Sequence, residues 1–361
     1  MRLSKPAGIT ALAMGIASVT LVGGAGSAGA ADQLQIKRTI SSAFVGPLQF
    51  AVDGKRIFVA DSFTSQLFRV GRAAPIATGP DPSTGGDLAG VAVDPSTHTL
   101  AYTTNTGDHS VTRLVIKAHN SKPVVADLSG FEATNNPDRV NHYGPVGRIN
   151  ACARKALRKL GAPTPLRYTG IIDSHAYSVT ATGGGNWAVG DAGGNDILNV
   201  DAAGNVSTIA VLPPQPVEIT SDLATGLGLP SCAVGVTYRF EPVPTDVEQG
   251  PDGDLYVSVL SGSSDLVGAG GSVYHITSSG TAELVASGFV GATNLAITPS
   301  GTIFVANLFS GTISRIEGGS VDTVGSLPGV AALEWANGHL YASTAPAVTG
   351  SSDPGSIYLL G

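Results

Sequence analysis

The sequence predicts a single all-β domain, a six-bladed β-propeller closed by an N-terminal strand, with a short helical insertion between blades 2 and 3. Three observations predict it. A strand–turn–strand unit recurs six times, and apolar residues alternate with a period of two within each copy. The last copy lacks an outer strand, while an unpaired strand precedes the first. One unit cannot bury both of its faces, so the copies must pack around a common centre.

Each copy consists of an inner strand, a tight turn, a second strand that in most copies ends at a polar residue, and a third strand. Turn pieces such as Asp53-Gly54 and Ser300-Gly301 suit the reversals that hairpins need. Outer fourth strands are expected at Val206–Leu212 and Ala282–Ser287. The copies cover residues 48–70, 90–114, 177–200, 245–276, 294–316 and 331–360. Their second strands are expected to end at Asp61, Asn105, Asp191, Val259, Asn307 and Thr344.

The two ends of the chain are expected to meet in one blade. The final copy stops after its third strand, Ser356–Leu360, and Gln35–Ser41 precedes the first copy without a neighbour. We therefore expect Gln35–Ser41 to supply the missing outer strand of the last blade. Closure of this kind leaves no open edge to aggregate.

Two insertions interrupt the predicted domain of residues 31–361, at residues 129–172 and 213–239. Residues 131–167 show no strand–turn–strand pattern, and Asn150–Leu160 has helical propensity. Each insertion carries one cysteine, Cys152 and Cys232. In an oxidising compartment an even pair predicts one disulfide, and two buried free thiols are the alternative.

The first thirty residues have the pattern of a secretory signal. Arg2 and Lys5 give a basic start, an apolar stretch covers residues 9–22, and Ala28-Gly29-Ala30 resembles a cleavage site. We expect cleavage after Ala30 and a secreted, extracellular product. A retained membrane anchor is the alternative, but the apolar run is shorter than the roughly 20 residues of a spanning helix.

The composition limits the classes of partner that the protein is expected to bind. The formal charge is −7, and loss of Arg2 and Lys5 makes it −9. An acidic chain with only 13% charged residues does not suit nucleic-acid binding, which needs clustered Lys and Arg. No later apolar run is long enough to span a membrane. The partner is expected to be a small molecule or a protein, of anionic character if the basic segment described below contacts it.

The sequence resembles the ScyD/ScyE-type family of secreted propellers, which belong with the NHL-like and lactonase-like six-bladed group. Five segments carry the resemblance: FEATNNPD (131–138), DSHAYSV (173–179), GDAGGNDILNVDAAGNVSTIAV (190–211), PTDVEQGPDGDLYV (244–257) and SGFVGATNLAITPSGTIFV (287–305). The resemblance implies an extracytoplasmic propeller of largely unassigned biochemistry. The chain departs from the family at His175-Ala176-Tyr177, where an Asn-Pro-Tyr type sequence is usual, and in the long insertion at 139–172.

Polar residues at strand ends are the candidate ligand-binding set. In a four-stranded antiparallel blade, the turn between the second and third strands and the link to the next blade emerge on one face. The residues expected there, near the channel mouth, are Asp61, Asn105, Asp191, Asp246, Asn294 and Asn307. Their oxygens suit Ca²⁺, for which Asp191, Asp246 and Asn294 are the candidate ligands, as in lactonase-type propellers by analogy of fold. The alternative is that such residues cap strand ends.

The sequence contains no GxSxG elbow, HExxH motif, P-loop or CxxC pair. The candidate catalytic residues are therefore His175, which opens an inner strand, and the nearby Asp191. A general base needs a partner to orient it and a pKa near the working pH. A surface or turn role is the alternative for His175.

The first insertion is strongly basic. Residues 139–172 hold seven basic side chains and no acidic one. We call five of them the basic segment, the expected lid over the channel: Arg148, Arg154, Lys155, Arg158 and Lys159. A lid that steers an anionic ligand is one interpretation, and a solvated helix that neutralises the acidic surface is the other.

These features lead to three hypotheses. The first is a secreted binding module that recognises a small molecule or a protein at the channel-mouth face. The second is a Ca²⁺-type, metal-dependent hydrolase of lactonase or strictosidine-synthase-like type. The third is a cell-wall-associated scaffold.

Overall fold

The computed structural model describes residues 33–160, 165–262 and 270–361, which fold mainly into β-strands. The first half of the chain contains β1 (Ile36–Phe44), β2 (Pro47–Asp53), β3 (Arg56–Asp61), β4 (Gln66–Arg69), β5 (Ala77–Thr78), β6 (Asp87–Val93), β7 (Leu100–Asn105), β8 (Thr112–Lys117), β9 (Val124–Asp127), β10 (His142–Pro145), β11 (Tyr168–Thr169), β12 (Ala176–Gly183), β13 (Asn186–Asp191), β14 (Asp196–Val200) and β15 (Val206–Val211). The second half contains β16 (Gln215–Glu218), β17 (Thr237–Phe240), β18 (Pro242–Gln249), β19 (Leu255–Ser261), β20 (Gly271–Ile276), β21 (Ala282–Phe289), β22 (Ala292–Ile297), β23 (Ile303–Asn307), β24 (Thr312–Glu317), β25 (Ser320–Ser326), β26 (Val330–Ala336), β27 (His339–Thr344) and β28 (Gly355–Leu360). The α-helices are α1 (Leu128–Asn135), α2 (Ala151–Leu160) and α3 (Ser221–Gly226), and short 3-10 helices include Pro137–Val140.

The strands form seven four-stranded antiparallel sheets within the described residues. Sheets 1 to 5 each use consecutive strands: β2–β5, β6–β9, β12–β15, β18–β21 and β22–β25. Sheet 6 has the order β1-β28-β27-β26, and the seventh, the insertion sheet, has the order β11-β10-β17-β16. The second strands of five sheets end at the predicted residue, from Asp61 in sheet 1 to Thr344 in sheet 6, and β19 runs two residues beyond Val259.

The first strands of sheets 1 to 6 contact one another in a circuit. Strand β2 contacts β6 and β26, β12 contacts β6 and β18, and β22 contacts β18 and β26. Each of these sheets therefore has its first strand next to those of two other sheets. The arrangement is consistent with a β-propeller fold.

Apolar residues at alternate positions of the second strands form the core between adjacent sheets. Ile57 and Val59 of β3 pack against Tyr341 and Ile357 of sheet 6, and Val305 of β23 packs against Val273 of sheet 4. All six are buried. Removing a side chain of this size from water contributes about 1.5–3 kcal/mol, so these positions hold neighbouring sheets together.

The N-terminal strand lies where the sequence places it. β1 pairs antiparallel with β28, with Ile36 opposite Leu360 and Phe44 opposite Gly355. Phe44 is 6% exposed and packs with Ile357. The two ends of the described chain therefore share sheet 6.

The insertion sheet was not predicted. Residues 131–167 were expected to hold a helix and no strand pattern, yet β10 lies within them. It pairs on one side with β11 and on the other with β17 of the second insertion, which follows sheet 3. Strands of two to four residues are too short to show alternation. The partners β10 and β17 are also far apart in the chain, so no local turn signals the pairing.

The predicted helix and disulfide are present. α2 covers Ala151–Leu160, and Cys152 is bonded to Cys232 with a Cα–Cα separation of 6.1 Å. Leu157 of α2 packs against Ile219, Tyr238 and Phe240. The two insertions thus share an apolar cluster of their own.

The predicted signal, residues 1–30, lies outside the described residues. Over residues 33–160, 165–262 and 270–361, no helix has both the length and the apolar character that crossing a bilayer requires.

Candidate functional site

Two histidines and two aspartates form a partly exposed group that we call the histidine cluster: Asp87, His109, Asp173 and His175. Asp87 begins β6, His109 lies in the loop between β7 and β8, and Asp173 and His175 lie just before β12. The side chains are between 17% and 32% exposed. The group is therefore reachable from solvent while its carboxylates hold it in place.

Each histidine of the cluster is paired with one carboxylate. Nε2 of His175 lies 2.9 Å from Oδ2 of Asp87, and Nδ1 of His109 lies 2.8 Å from Oδ1 of Asp173. The two rings stack, with centroids 4.7 Å apart and planes 27° from parallel. No described residue hydrogen-bonds to Nδ1 of His175 or Nε2 of His109, so each ring keeps one nitrogen for another partner.

The charges around His175 decide its protonation. Burial alone lowers the pKa of its imidazole, but the charge and hydrogen bond of Asp87, aided by Asp191 and Asp173, outweigh burial and raise the pKa. The ring of Tyr177 stands edge-on to His175 at 6.3 Å. Burial and then the charges of Asp87 and Asp246 raise the pKa of the Tyr177 hydroxyl, which therefore stays protonated at neutral pH.

Asn105 connects the cluster to the fold. Its Nδ2 donates to Oδ1 of Asp87 at 2.6 Å and to the carbonyl of Ala176 at 3.1 Å, and its Oδ1 accepts from the amide of Ala176 at 3.0 Å. The end of β7 is thereby joined to the start of β12. Asn105 orients Asp87, which in turn orients His175.

Asp191 accepts four hydrogen bonds from its surroundings. Its Oδ1 accepts from the amides of His175 at 2.7 Å and of Gly193 and Gly194 at 3.0 Å. Its Oδ2 accepts from the hydroxyl of Ser174 at 2.5 Å. The carboxylate bonds to the backbone amide of His175 and forms no hydrogen bond with its ring, so the partner that orients the imidazole is Asp87.

Asp61 and Asn307 end the second strands of sheets 1 and 5. Asp61 accepts from the amides of Val45 and Gly46 at 2.9 and 2.8 Å, which ties β3 to the segment before β2. Asn307 donates to the Ser314 hydroxyl at 2.9 Å within its own sheet. Both are 2% exposed. These contacts stabilise strand ends, and ligand contact at either residue stays a prediction.

Asp246 and Asn294 join adjacent first strands. Oδ2 of Asp246 accepts from the amide of Leu295 at 2.9 Å, and Oδ1 of Asn294 accepts from the amide of Leu333 at 2.6 Å. Gln49 of β2 accepts from Asn294 at 2.9 Å and donates to the carbonyl of Thr245 at 3.1 Å. Both residues are buried within this network, and their metal binding, like that of Asp191, stays a prediction.

An acidic group lies next to this network on β18 and β26. Burial raises the pKa of Glu248 to about 8, and burial with the charges of Glu248 and Asp246 raises the pKa of Glu334. The pKa of Asp246 is also raised, by burial and by Glu248. Glu248 accepts from the Thr180 hydroxyl of β12 at 3.3 Å. The first strands therefore carry protonatable carboxyls that the sequence analysis, apart from Asp246, did not single out.

The basic segment lies partly on α2. Arg154, Lys155, Arg158 and Lys159 are exposed on its outer side, while Ala153 and Leu157 are buried. A cleft of about 580 Å³ lies between α2 and the loop before the second cysteine. It is lined by Cys152, Lys155, Ala156, Lys159, Leu227, Gly228, Leu229 and Pro230. Placement of this face over a channel stays a prediction.

One compact group of metal-ligand side chains lies in an exposed turn. Ligand atoms of Asp252, Asp254 and His275 all lie within 4.8 Å of one another. Tyr256 donates to Asp252 at 2.8 Å, and Nε2 of His275 lies 2.9 Å from Asp254. These contacts account for the turn without an ion.

Sequence reasoning found His175 and Asn105 but missed Asp87 and His109. Both occupy strand or turn positions without a motif. Asp87 lies at the start of an inner strand, as His175, Asp246 and Asn294 are predicted to do. This position is the one feature of the sequence that could have indicated Asp87 as a site residue.

Comparison with known proteins supports the fold. Neither a protein-family model nor a curated protein matches the sequence. Among solved structures, the chain is similar to a PQQ-bound aldose sugar dehydrogenase from Streptomyces coelicolor, with 14% identity, 91% of this chain and 97% of that chain covered, and a TM-score of 0.54. A putative oxidoreductase (glucose dehydrogenase) from Thermus thermophilus gives 16% identity, 91% and 100% coverage, and a TM-score of 0.55. Virginiamycin B lyase from Staphylococcus aureus gives 12% identity, 90% and 88% coverage, and a TM-score of 0.50. These similarities support membership of the β-propeller fold and carry no statement about activity.

Proposed function

We propose that this chain is a secreted, six-bladed β-propeller of the ScyD/ScyE type that binds a small polar molecule or a protein segment at its channel mouth through the histidine cluster. Sheets 1 to 6 are the proposed blades, closed by β1, and the insertion sheet is an addition to the links that follow blades 2 and 3. The circuit of contacts between first strands supports this count.

The position of the cluster supports a site at the mouth. His109 lies in the turn between the second and third strands of sheet 2, and His175 lies in the link to sheet 3. In a four-stranded antiparallel blade, these two connections emerge at the same edge. The observation that carries the proposal is the stacked pair of histidines, each held by a carboxylate and each with one ring nitrogen left for a ligand.

A thermal-shift screen tests the proposal. The compounds are aldoses, aldonolactones, PQQ and quinupristin, chosen because the names of similar folds include such molecules. We expect at least one to raise the melting temperature, and His175→Gln and His109→Gln to abolish that rise. His275→Gln, which removes a histidine paired with Asp254 elsewhere, is the matched control. Hits that survive both cluster variants would contradict the assignment, and a complete absence of hits would favour the cell-wall scaffold.

The basic segment supports an anionic partner. Arg154, Lys155, Arg158 and Lys159 form no ion pair with any described residue. Replacing all four with Gln is expected to weaken binding of an anionic hit and to remove its salt dependence, while a neutral hit is unaffected. Equal affinity of both proteins for the anionic hit would favour the solvated-helix interpretation.

A second candidate function is hydrolysis with His175 as general base. Asp87 orients the imidazole, as a base requires, and Nδ1 has no hydrogen-bond partner among the described residues. The Ca²⁺ form of this proposal uses Asp191, Asp246 and Asn294 as ligands and Asp191 as an alternative base. Turnover of aldonolactones that falls at least 100-fold in His175→Gln, with unchanged melting temperature, would support it. Absence of turnover with and without Ca²⁺ would leave the binding module.

A further inference from the structure

A second group of five polar residues lies beside the histidine cluster, and four of the five are buried. We call it the acidic pocket: Glu132, Asn136, Asp138, Asn195 and Asp196. Glu132 belongs to α1, and Asn136 and Asp138 belong to the turn and 3-10 helix that follow. Asn195 lies in the turn before β14, and Asp196 begins that strand. Glu132, Asp138, Asn195 and Asp196 are each at most 2% exposed. The pocket therefore joins the link after sheet 2 to the second turn of sheet 3.

A hydrogen bond joins Asp138 to Asn195, and the charges of Glu132 and Asp138 act on Asp196, so these residues are neighbours. Oδ2 of Asp138 accepts from Nδ2 of Asn195 at 2.9 Å and from the hydroxyl of Tyr143 at 3.0 Å. Gly170 packs directly on the Asp138 carboxylate, where even a β-carbon would lie 1.8 Å from Oδ1. A β-carbon on Gly194 would lie 3.3 Å from Oδ1 of Asp196 and 3.4 Å from Cγ of Asp191. The backbone of Asp173 bonds to the carboxylate of Glu132.

Six buried oxygens of the pocket have no hydrogen-bond partner in the described chain. They are Oε1 of Glu132, Oδ1 of Asn136, Oδ1 of Asp138, Oδ1 of Asn195, and both Oδ1 and Oδ2 of Asp196. Buried polar atoms are almost always paired, because an unpaired one costs the full desolvation of that atom. Six such atoms in one small region need a common explanation.

No lysine or arginine side chain of the described residues neutralises the carboxylates of the acidic pocket. Glu132, Asp138 and Asp196 form no ion pair with a lysine or arginine of the described residues. Burial, strengthened by the neighbouring carboxylates, raises the pKa of Glu132 to about 8 and of Asp196 well above its usual range. Ionised carboxylates buried without a counter-charge cost several kcal/mol each. The pocket is therefore stable only if protons or a cation neutralise it.

From this placement we infer that the acidic pocket is a binding site for a hard divalent cation of the Ca²⁺ class, held by Glu132, Asp138 and Asp196 with the amide oxygens of Asn136 and Asn195. Six oxygens match the lower limit of Ca²⁺ coordination, and the set contains no sulfur or imidazole ligand that would favour zinc. As placed, Glu132, Asp138 and Asp196 do not each offer an oxygen within 4.8 Å of the other two. A bound cation would therefore draw at least one carboxylate inward, and the two amide oxygens would complete its shell.

The site would have a structural consequence for the histidine cluster. The cation would hold the segment 132–138 against β14, and Glu132 is joined to the backbone of Asp173, the partner of His109. Loss of the cation is thus expected to loosen α1 and the loop at 170–175. This inference is independent of the ligand proposed for the histidine cluster.

Metal analysis and thermal melts test the site directly. The secreted protein is purified with CaCl₂, passed through a desalting column and assayed for metal by mass spectrometry, then melted with CaCl₂ or with EDTA. We expect about one Ca²⁺ per chain and a melting temperature at least about 5 °C higher with Ca²⁺ in excess than with EDTA. Asp196→Asn is expected to lose both, while Asp252→Asn, in the exposed turn, keeps both.

Terbium keeps the test conclusive if Asp196→Asn does not fold. Tb³⁺ takes the same oxygen ligands, and Tyr143, which donates to Asp138, can sensitise its emission. Wild-type protein is expected to show tyrosine-excited Tb³⁺ emission that Ca²⁺ displaces and that Asp252→Asn retains. The inference is overturned if wild-type protein holds no metal and its melting temperature is equal in CaCl₂ and EDTA. It is also overturned if Asp196→Asn folds and is stabilised without metal, since that result means the carboxyls are simply protonated.

Discussion

Nε2 of His175 and Oδ2 of Asp87 lie 2.9 Å apart although 88 positions separate the two residues in the chain. Asp87 begins the first strand of sheet 2, and His175 immediately precedes the first strand of sheet 3. The contact therefore exists only when these two sheets are adjacent. The orientation of the His175 ring by Asp87 therefore depends on the packing of sheet 2 against sheet 3.

Asp87→Asn is expected to lower the pKa of His175, because the charge and hydrogen bond of the Asp87 carboxylate outweigh burial of the ring. Proton NMR of the histidine ring resonances across pH 5 to 9 measures the change. The raised pKa of His175 also sets the direction in which stability changes with pH. A raised folded-state pKa means that protonated His175 stabilises the fold fully below its unfolded pKa, and this contribution disappears as the pH rises through the folded value.

Asp254→Asn serves as the matched control, since it removes the carboxylate beside His275 in a different turn. It is expected to leave the His175 titration unchanged. An identical titration of His175 in wild type and Asp87→Asn would show that Asp87 does not govern the ring.

Glu248→Gln is expected to reduce the loss of stability that occurs as the pH rises from 4.5 to about 8. Burial raises the pKa of Glu248 to about 8, so its neutral form stabilises the fold below its ordinary pKa and this contribution is lost as the pH rises through about 8. Glu334 titrates in the same sense, because burial and the charges of Glu248 and Asp246 raise its pKa as well. Melting temperatures between pH 5 and 9 should fall less steeply in Glu248→Gln. Glu218→Gln, on the exposed side of the insertion sheet, should follow the wild-type curve, and parallel curves for all three proteins would refute the assignment.

The repeated sheets could be predicted from sequence because each is local. A strand, a tight turn and a second strand lie within about twenty residues, and turn residues such as Asp53-Gly54 indicate the register. The same reasoning located β1, since the last copy visibly lacked one strand. The insertion sheet could not be predicted, because β10 and β17 meet only after two separate insertions have folded against each other.

The candidate site was predicted only in part, for a similar reason. Asn105 and Asp191 occupy strand ends that the pattern identifies. The hydrogen bond between Asn105 and Ala176, however, depends on how sheets 2 and 3 pack, whereas that between Asp191 and Gly194 lies within the turn after β13. Nothing in the spacing of Asp87 and His175 indicates that they touch. The alternation of apolar and polar residues predicts which face of a strand a residue lies on. It does not predict a contact that forms only when two sheets pack together.

Replacing Cys152 and Cys232 together by Ala is expected to loosen the insertions while leaving the sheets intact. The disulfide closes a loop of 80 residues, for which chain-entropy arguments give about 4 kcal/mol. Leu157, Tyr238 and Phe240 still provide an apolar cluster, so α2 should remain in place but open more often. Hydrogen exchange read by mass spectrometry should accelerate in residues 151–160 and stay unchanged in β13. Equal exchange of α2 in both proteins would show that the apolar cluster alone holds it.

Loss of the N-terminal strand is expected to destabilise the whole domain. Deletion of residues 32–41 removes most of β1 and leaves β28 as an exposed edge with unpaired backbone groups. Because β28 also packs against sheet 1 through Ile357, the damage should spread beyond sheet 6. Urea unfolding followed by tryptophan fluorescence, which reports Trp187 in sheet 3 and Trp335 in sheet 6, measures whether both sheets unfold in a single transition.

A pair of point variants separates loss of the strand from loss of a side chain. Phe44→Ala, at a buried position, should lower the free energy of unfolding by about 3–5 kcal/mol, whereas Ile36→Ala, at a position 50% exposed, should change it little. An unchanged urea midpoint for the deletion would mean that the sheets hold together without the N-terminal strand, and the proposed closure would then be wrong.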